Sequence, residues 1–265
     1  MNVRFLMCNY CNLRCSYCHN EYQGGIDCQT AKSIKNFSKE TICKTLEEYN
    51  LNNIDSIKIS GGEPFLKPNE VIEILEFSSR MNKKSVILTN ATIHDSILFN
   101  KIIENEVHEI RINLSTFDIT KYKNITKANN EQVKVLYDNI DYFTKNKIPI
   151  SLNVVLVCQP NEIKNFIIDY VKTATTTYKP MNFKSLRFII NDWLSDKDNY
   201  FEKANEVLVS LTNTSGKQRK DCIIDFKDYY IPVSLIKCNM NKESDVYLIP
   251  PGIVLTNPKK GKAYA

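Results

Sequence analysis

A chain of 265 residues is long enough for one sizeable core, and its net charge of +5 is spread along the whole length. That excludes the dense basic footprint of a nucleic-acid binder. No run approaches the ~18–20 apolar residues of a membrane helix, and the N-terminus lacks the charged-then-apolar layout of an export signal, so a cytoplasmic protein without membrane or nucleic-acid partners is expected. Nine cysteines in such a chain do not read as a disulfide framework, because thiols stay reduced there; metal binding is the leading use for any cluster of them.

The chain opens on an apolar strand over 3–7, followed at once by the thiols of Cys11, Cys15 and Cys18 in "CNLRCSYC". A helix is expected over 38–49, then a strand over 56–60 that runs into "SGGEPFL", and a helix over 69–79. The strand over 85–89 ends at Thr89-Asn90, and a weaker helical pattern covers 93–104. Next come a strand over 110–114 that leads to Ser115, and a helix over 131–146 with Val133, Leu136, Ile140 and Phe143 on one face. The series closes with a strand over 151–157, a helix over 161–174, a strand over 185–190 and a helix over 200–213. Six β/α units in order predict an α/β fold, a partial (β/α)6 barrel over 1–214, since eight units close the usual barrel. The polar stretch "NTSGKQRKD" separates it from an extension over 215–265, where "DVYLIPPGIVLT" reads as strand, turn, strand: a short β-hairpin.

Three thiols in eight residues admit two readings. Structural zinc takes four ligands, and His19 or Cys8 can be offered as the fourth. A cuboidal 4Fe-4S cluster held by three thiolates leaves one iron free of protein, and the Cys-x3-Cys-x2-Cys spacing differs from ferredoxin runs that complete the ligand set. Of the other cysteines, Cys43 and Cys158 read as core or near-core, and Cys8 and Cys28 as incidental. Gly-Gly-Glu-Pro by itself is an ordinary turn, and Thr89, Asn90 and Ser115 are ordinary turn or cap residues. Asn153 and Arg187 stand inside strands where apolar residues are usual, which points them at a cavity; for Arg187 a barrel-bottom ion pair competes.

"CNLRCSYC" resembles the cluster motif of the radical S-adenosylmethionine (SAM) superfamily, and "KISGGEPFL" resembles its Gly-Gly-Glu-Pro segment, with the thiols after the first strand and the glycines after the second. The resemblance implies a 4Fe-4S cluster on Cys11, Cys15 and Cys18 with SAM chelated at the open iron. It implies Tyr17 near the adenine, and Gly61, Gly62, Glu63 and Pro64 about the SAM amino group. Thr89, Asn90 and Ser115 would hold its carboxylate and ribose, and Asn153 and Arg187 would face the active cavity. It also implies an electron donor such as flavodoxin or ferredoxin. The expected activity is reductive SAM cleavage followed by hydrogen abstraction from a small-molecule, nucleoside-derived or peptide substrate in a biosynthetic pathway.

"RINLSTFDITKYKNIT", "KIPISLNVVLV" and "LRFII" look like the branch containing the enzyme that rearranges GTP in molybdenum-cofactor synthesis. That enzyme carries a second cluster on three C-terminal cysteines. Here Cys222 and Cys238 stand alone in the extension, which weakens a GTP assignment and implies one cluster per chain. Lys67 follows the glutamate turn where the branch often places a basic residue; a solvated lysine is the plain alternative. Cys222 or Cys238 as hydrogen donor would suit a peptide-modifying epimerase, or a cross-linking enzyme would use them. A first strand that starts beside Met1 leaves no room for an N-terminal peptide-recognition domain and favours a small molecule. The rival from another class is a non-catalytic metal-binding regulator or scaffold.

Overall fold

A computed structural model of the chain describes residues 2–8, 10–18, 54–177, 183–190, 197–211, 221–226, 229–237, 245–249, 253–255 and 263–264. The helix expected over 38–49, together with His19, Cys28, Cys43 and Cys238, lies outside them. Strands β1 (Asn2–Leu6), β2 (Ser56–Ser60), β3 (Lys84–Thr89), β4 (Glu109–Asn113), β5 (Ile150–Val155) and β6 (Phe183–Ile190) lie parallel in sequence order. Between them run helices α1 (Pro68–Arg80), α2 (Ser96–Glu104), α3 (Ile119–Thr126), α4 (Asn130–Lys145) and α5 (Ile163–Thr177), with α6 (Lys197–Leu211) after β6. This is the expected α/β partial barrel. None of the described helices is long and apolar enough to cross a membrane.

Alternation along the strands explains the two faces. Val3 and Phe5, Ile57 and Ile59, Ile110 and Ile112, and Leu186 and Phe188 are all buried, and they join the helices' apolar stripes in one core. Full burial of a side chain of this size contributes about 1.5–3 kcal/mol, so a one-residue slip of register would forfeit a whole row. The other face is polar. Its register sets Asn113 beside Asn153, Asn153 beside Arg187, and Arg187 beside Ser234. One step toward the strand starts, Arg111 Nη2 donates to Glu109 Oε2 at 2.7 Å, and Ser151 Oγ is bonded to Glu109 Oε1 and lies 3.0 Å from Ser185 Oγ. Thus Arg111 and Glu109 form an ion pair toward the strand starts, and Arg187 stands level with Asn153.

Beyond residue 211 the sequence suggested only a hairpin. That hairpin is present as β9 (Asp245–Ile249) and β10 (Ile253–Leu255), antiparallel to each other. Three strands were missed, β11 (Ala263–Tyr264) at the chain's end among them: β7 (Asp221–Phe226) pairs antiparallel with β8 (Tyr229–Lys237), and β8 lies parallel to β6. At the opposite edge β9 runs parallel to β1, and β11 (Ala263–Tyr264) pairs with β10. Among the described residues, the extension therefore adds strands to both edges of one eleven-stranded sheet.

Candidate active site

The thiol loop leaves β1 at its C-terminal end, the rim where ligands of parallel α/β sheets bind. Met7 N still donates to Ser60 O at 2.8 Å. Gly62 N then donates to Cys8 O at 2.6 Å, and Glu63 N to Tyr10 O at 3.0 Å. These bonds explain both glycines. Gly61 has φ +127°, and a Cβ there would lie 2.7 Å from Cys8 O; a Cβ on Gly62 would lie 1.7 Å from Tyr10 O. The close approach that the glycines permit is to the thiol loop's own backbone. Cys8 Sγ lies 3.2 Å from Tyr10 O and 3.5 Å from Glu63 O, and burial pushes its pKa up.

Glu63 is 1% exposed and takes three donors: Phe65 N at 3.0 Å and Thr89 Oγ1 at 2.6 Å on Oε1, and Asn90 N at 2.7 Å on Oε2. Burial pushes its carboxyl up to about 7 against the pull of those donors. Pro64 starts the short 3-10 turn that Glu63 caps. Lys67 ends that turn half-buried, with its Nζ 3.7 Å from Glu70 Oε1.

Asn90 connects the turn to the thiols. Its Nδ2 lies 3.4 Å from Cys11 Sγ and 2.9 Å from Asn12 Oδ1, while its Oδ1 accepts from Thr92 N at 2.9 Å and Thr92 Oγ1 at 2.6 Å. Asn12 Nδ2 donates to Thr92 Oγ1 at 2.8 Å, and Leu13 N points at Cys11 Sγ from 3.4 Å. Ala91 adopts φ +55°, unfavourable for a residue with a Cβ. The fully buried Asn139 of α4 holds that bend by donating to Ala91 O at 2.9 Å and Ile93 O at 2.8 Å. Asn12, Thr92 and Asn139 were not singled out from sequence. A buried Asn on the apolar face of α4, between Leu136 and Ile140, was the available signal.

Helix α3 and the start of α4 grip the same loop. Arg14 N donates to Thr126 O and Ser16 N to Ile125 O, both at 2.9 Å, so the loop satisfies carbonyls that the helix end leaves open. Gln132 of α4 shares a capping box with Asn129 and donates from Nε2 to Asn12 O at 3.2 Å. Tyr17 lies against Cys15 and Ser115, and burial holds its phenol well above the usual value. Ser115 and Asn153 are buried, and Asn153 Oδ1 has no hydrogen-bond partner among the described residues. Cys222 lies on β7 opposite Val233, away from the thiol loop in strand order.

The donor set suits an iron-sulfur cluster. Burial pushes the Cys11 thiol up to about 12 and Cys15 up to about 11, so each needs a cation to become a thiolate. Leu13 N–H and the Asn90 amide already aim at the Cys11 sulfur, as donors to a bound thiolate do. Among the described residues, no three of His, Cys, Asp and Glu gather tightly enough for a single metal ion; in a cuboidal cluster each thiolate meets a different iron.

The model of the radical SAM superfamily matches residues 5–169. A probable GTP 3',8-cyclase of Methanocella arvoryzae is 31% identical over 173 residues, which is 64% of this chain and 53% of that protein. The GTP 3',8-cyclase of Lactiplantibacillus plantarum is 26% identical over 195 residues, 72% of this chain and 56% of that one. The chain spans about half the length of these curated relatives. In fold it is similar to Streptococcus suis SuiB bound to S-adenosylmethionine, with a TM-score of 0.68 at 13% identity over 96% of this chain and 59% of that chain. A family match that runs from β1 into α5, across the thiol loop, the glycine turn and the end of β3 alike, makes the chain a member of the radical SAM superfamily, whose members use a 4Fe-4S cluster and SAM.

Proposed function

We propose that the chain is a radical SAM enzyme whose cluster, held by Cys11, Cys15 and Cys18, supplies the electron that cleaves SAM to a 5′-deoxyadenosyl radical for hydrogen abstraction from substrate. The observation that carries this reading is the thiol loop itself: three thiols at the rim of a parallel sheet, with protein donors already aimed at sulfur and the glutamate turn locked against the loop backbone.

The surrounding residues take roles that follow from their contacts. Glu63 spends three acceptor positions on Phe65, Thr89 and Asn90, which leaves room on Oε2 for one more donor, the SAM ammonium. Its larger task is to fix Asn90, which in turn fixes Cys11 and Asn12. Asn153 offers an open carbonyl oxygen to a hydroxyl of SAM or substrate, and Arg187, level with it on β6, supplies positive charge for a carboxylate or phosphate. Tyr17 and Ser115 form the wall beside Cys15, where an aromatic ring excludes water from the reacting centre. Substrates are small molecules or peptides, the peptide case being supported by fold similarity to SuiB bound to precursor peptide SuiA.

The test is anaerobic reconstitution followed by reduction in the presence of SAM. Formation of 5′-deoxyadenosine is expected, with about four irons per chain, and replacing Cys11, Cys15 and Cys18 together by Ala should abolish both. Stoichiometric zinc, with no SAM cleavage after reconstitution, would overturn the assignment.

A further inference from the structure

Helix α3 carries one buried polar group without a partner among the described residues. Tyr122 is 2% exposed, and its phenol oxygen is buried without a hydrogen-bond partner among the described residues. Buried tyrosine hydroxyls are normally bonded, and leaving one orphaned forfeits the hydrogen bond it made to water. The ring is not free to turn toward a partner. Its own carbonyl accepts from Thr126 Oγ1 at 2.8 Å, and the helix end is tied to the thiol loop through Thr126 O and Ile125 O. That tie holds the helix against the loop on the side of its two buried residues, Tyr122 and Thr126. Burial is the main cause that raises the Tyr122 phenol, with Cys15, Tyr137, Cys11 and Glu63 adding to it electrostatically. Tyr17, on the loop itself, is within the same reach of both Tyr122 and Cys15.

A buried donor on the helix that holds the thiol loop, without an acceptor among the described residues, gains a use when the loop's sulfurs carry negative charge. We infer that Tyr122 donates its hydroxyl hydrogen to a sulfur of the bound cluster and so holds the cluster's reduction potential above the value it would otherwise have. The physical reason is that a hydrogen bond to sulfur stabilises the reduced, more negative cluster more than the oxidised one. Leu13 N–H and the Asn90 amide already serve the Cys11 sulfur, and the Tyr122 hydroxyl would add a further donor. Tyr122 is in this role a tuning residue. It takes no part in the chemistry of SAM, and the inference rests on the cluster assignment above.

The experiment compares wild type with Tyr122→Phe, which keeps the ring and removes only the hydroxyl. Both proteins are reconstituted, and the cluster's midpoint potential is read by electron paramagnetic resonance during a reductive titration without SAM. A midpoint shifted to more negative values at equal iron content is expected. An unchanged midpoint in a fully loaded variant would overturn the inference while leaving the cluster itself intact; a wild type that takes up no cluster would remove both. A second measurement needs no cluster: melting of the metal-free proteins. Because the deleted atom has no partner among the described residues, Tyr122→Phe should melt no lower than wild type. A lower melting temperature would mean that the hydroxyl serves a protein group, and would overturn the inference whatever the variant's iron content.

Discussion

Glu63 shows how a residue can read as a ligand group in sequence and stand in the structure as a keystone of its own turn. Its two oxygens gather a backbone amide from each of two segments and the Thr89 hydroxyl. Glu63→Gln would set an amide N–H2 against Asn90 N, or against Phe65 N and Thr89 if the amide turned over. The metal-free chain should lose roughly 1–3 kcal/mol in urea unfolding. The same site gives a pH signature. Burial raises the folded-state pKa from 4.5 to about 7, so the unfolded chain gives up this proton first as pH rises. The stability that Glu63 contributes is full below pH about 4.5, falls as pH climbs toward 7, and is level above that. The gap in melting temperature between metal-free wild type and Glu63→Gln should therefore narrow across that window. A gap constant from pH 4.5 to 7.5 would show that the carboxyl is not held up by its burial. Glu109 works in the opposite direction. Burial disfavours its charge, but Arg111 and Ser151 outweigh that and hold its pKa below the ordinary value, so its contribution is lost only in acid.

At the scale of elements, α3 is the piece that the sequence hid and the site depends on. Its eight residues bury only Tyr122 and Thr126, too few for a 3.6-residue stripe to be visible, and Asp118 caps it by accepting from Lys121 N at 2.9 Å in a run that also passes for a loop. The end of α3 is strained: Lys127 sits at φ +60°, in the left-handed region. Relieving about 1–2 kcal/mol of steric cost, less about 0.5–1 kcal/mol for the extra freedom of an unfolded glycine, predicts that Lys127→Gly stabilises the chain by about 0.5–1 kcal/mol. Melting by circular dichroism checks the sign, and a lower melting temperature would refute the left-handed cap. The six parallel strands were legible because their apolar residues alternate or run continuously between turn signals. Strand β8 was not, since Pro232 speaks locally against an interior strand, yet β8 lies between β6 and β7. The thiols and the glycine turn could be read as motifs. What the glycines approach, and which asparagines hold the loop, depends on contacts between residues about 50 to 120 positions apart, such as Gly62 with Tyr10 and Gln132 with Asn12, and no local pattern encodes those.

At the scale of the whole molecule, the described strands form a single sheet whose first strand is not at its edge. β1 lies between β2 and β9, with Asn2 opposite both Ser56 and Asp245. A chain cut to residues 1–244 keeps every element of the thiol site but bares one side of β1 and should self-associate through it, as unpaired strand edges do. Size-exclusion chromatography with light scattering tests this; a monodisperse, soluble 1–244 fragment would show that β9 is dispensable cover. The same placement sets a clock during synthesis. β1 meets β2 early, but at translation rates of ~5–20 residues per second its other side waits on the order of 10–40 s for β9 to emerge. For that interval the strand that launches the thiol loop is an open template next to reactive sulfur, so the nascent chain is most exposed to mispairing and to oxidation at the same place and time. Slowing the ribosome over the last fifty residues would lengthen that exposure, and speeding it would shorten it.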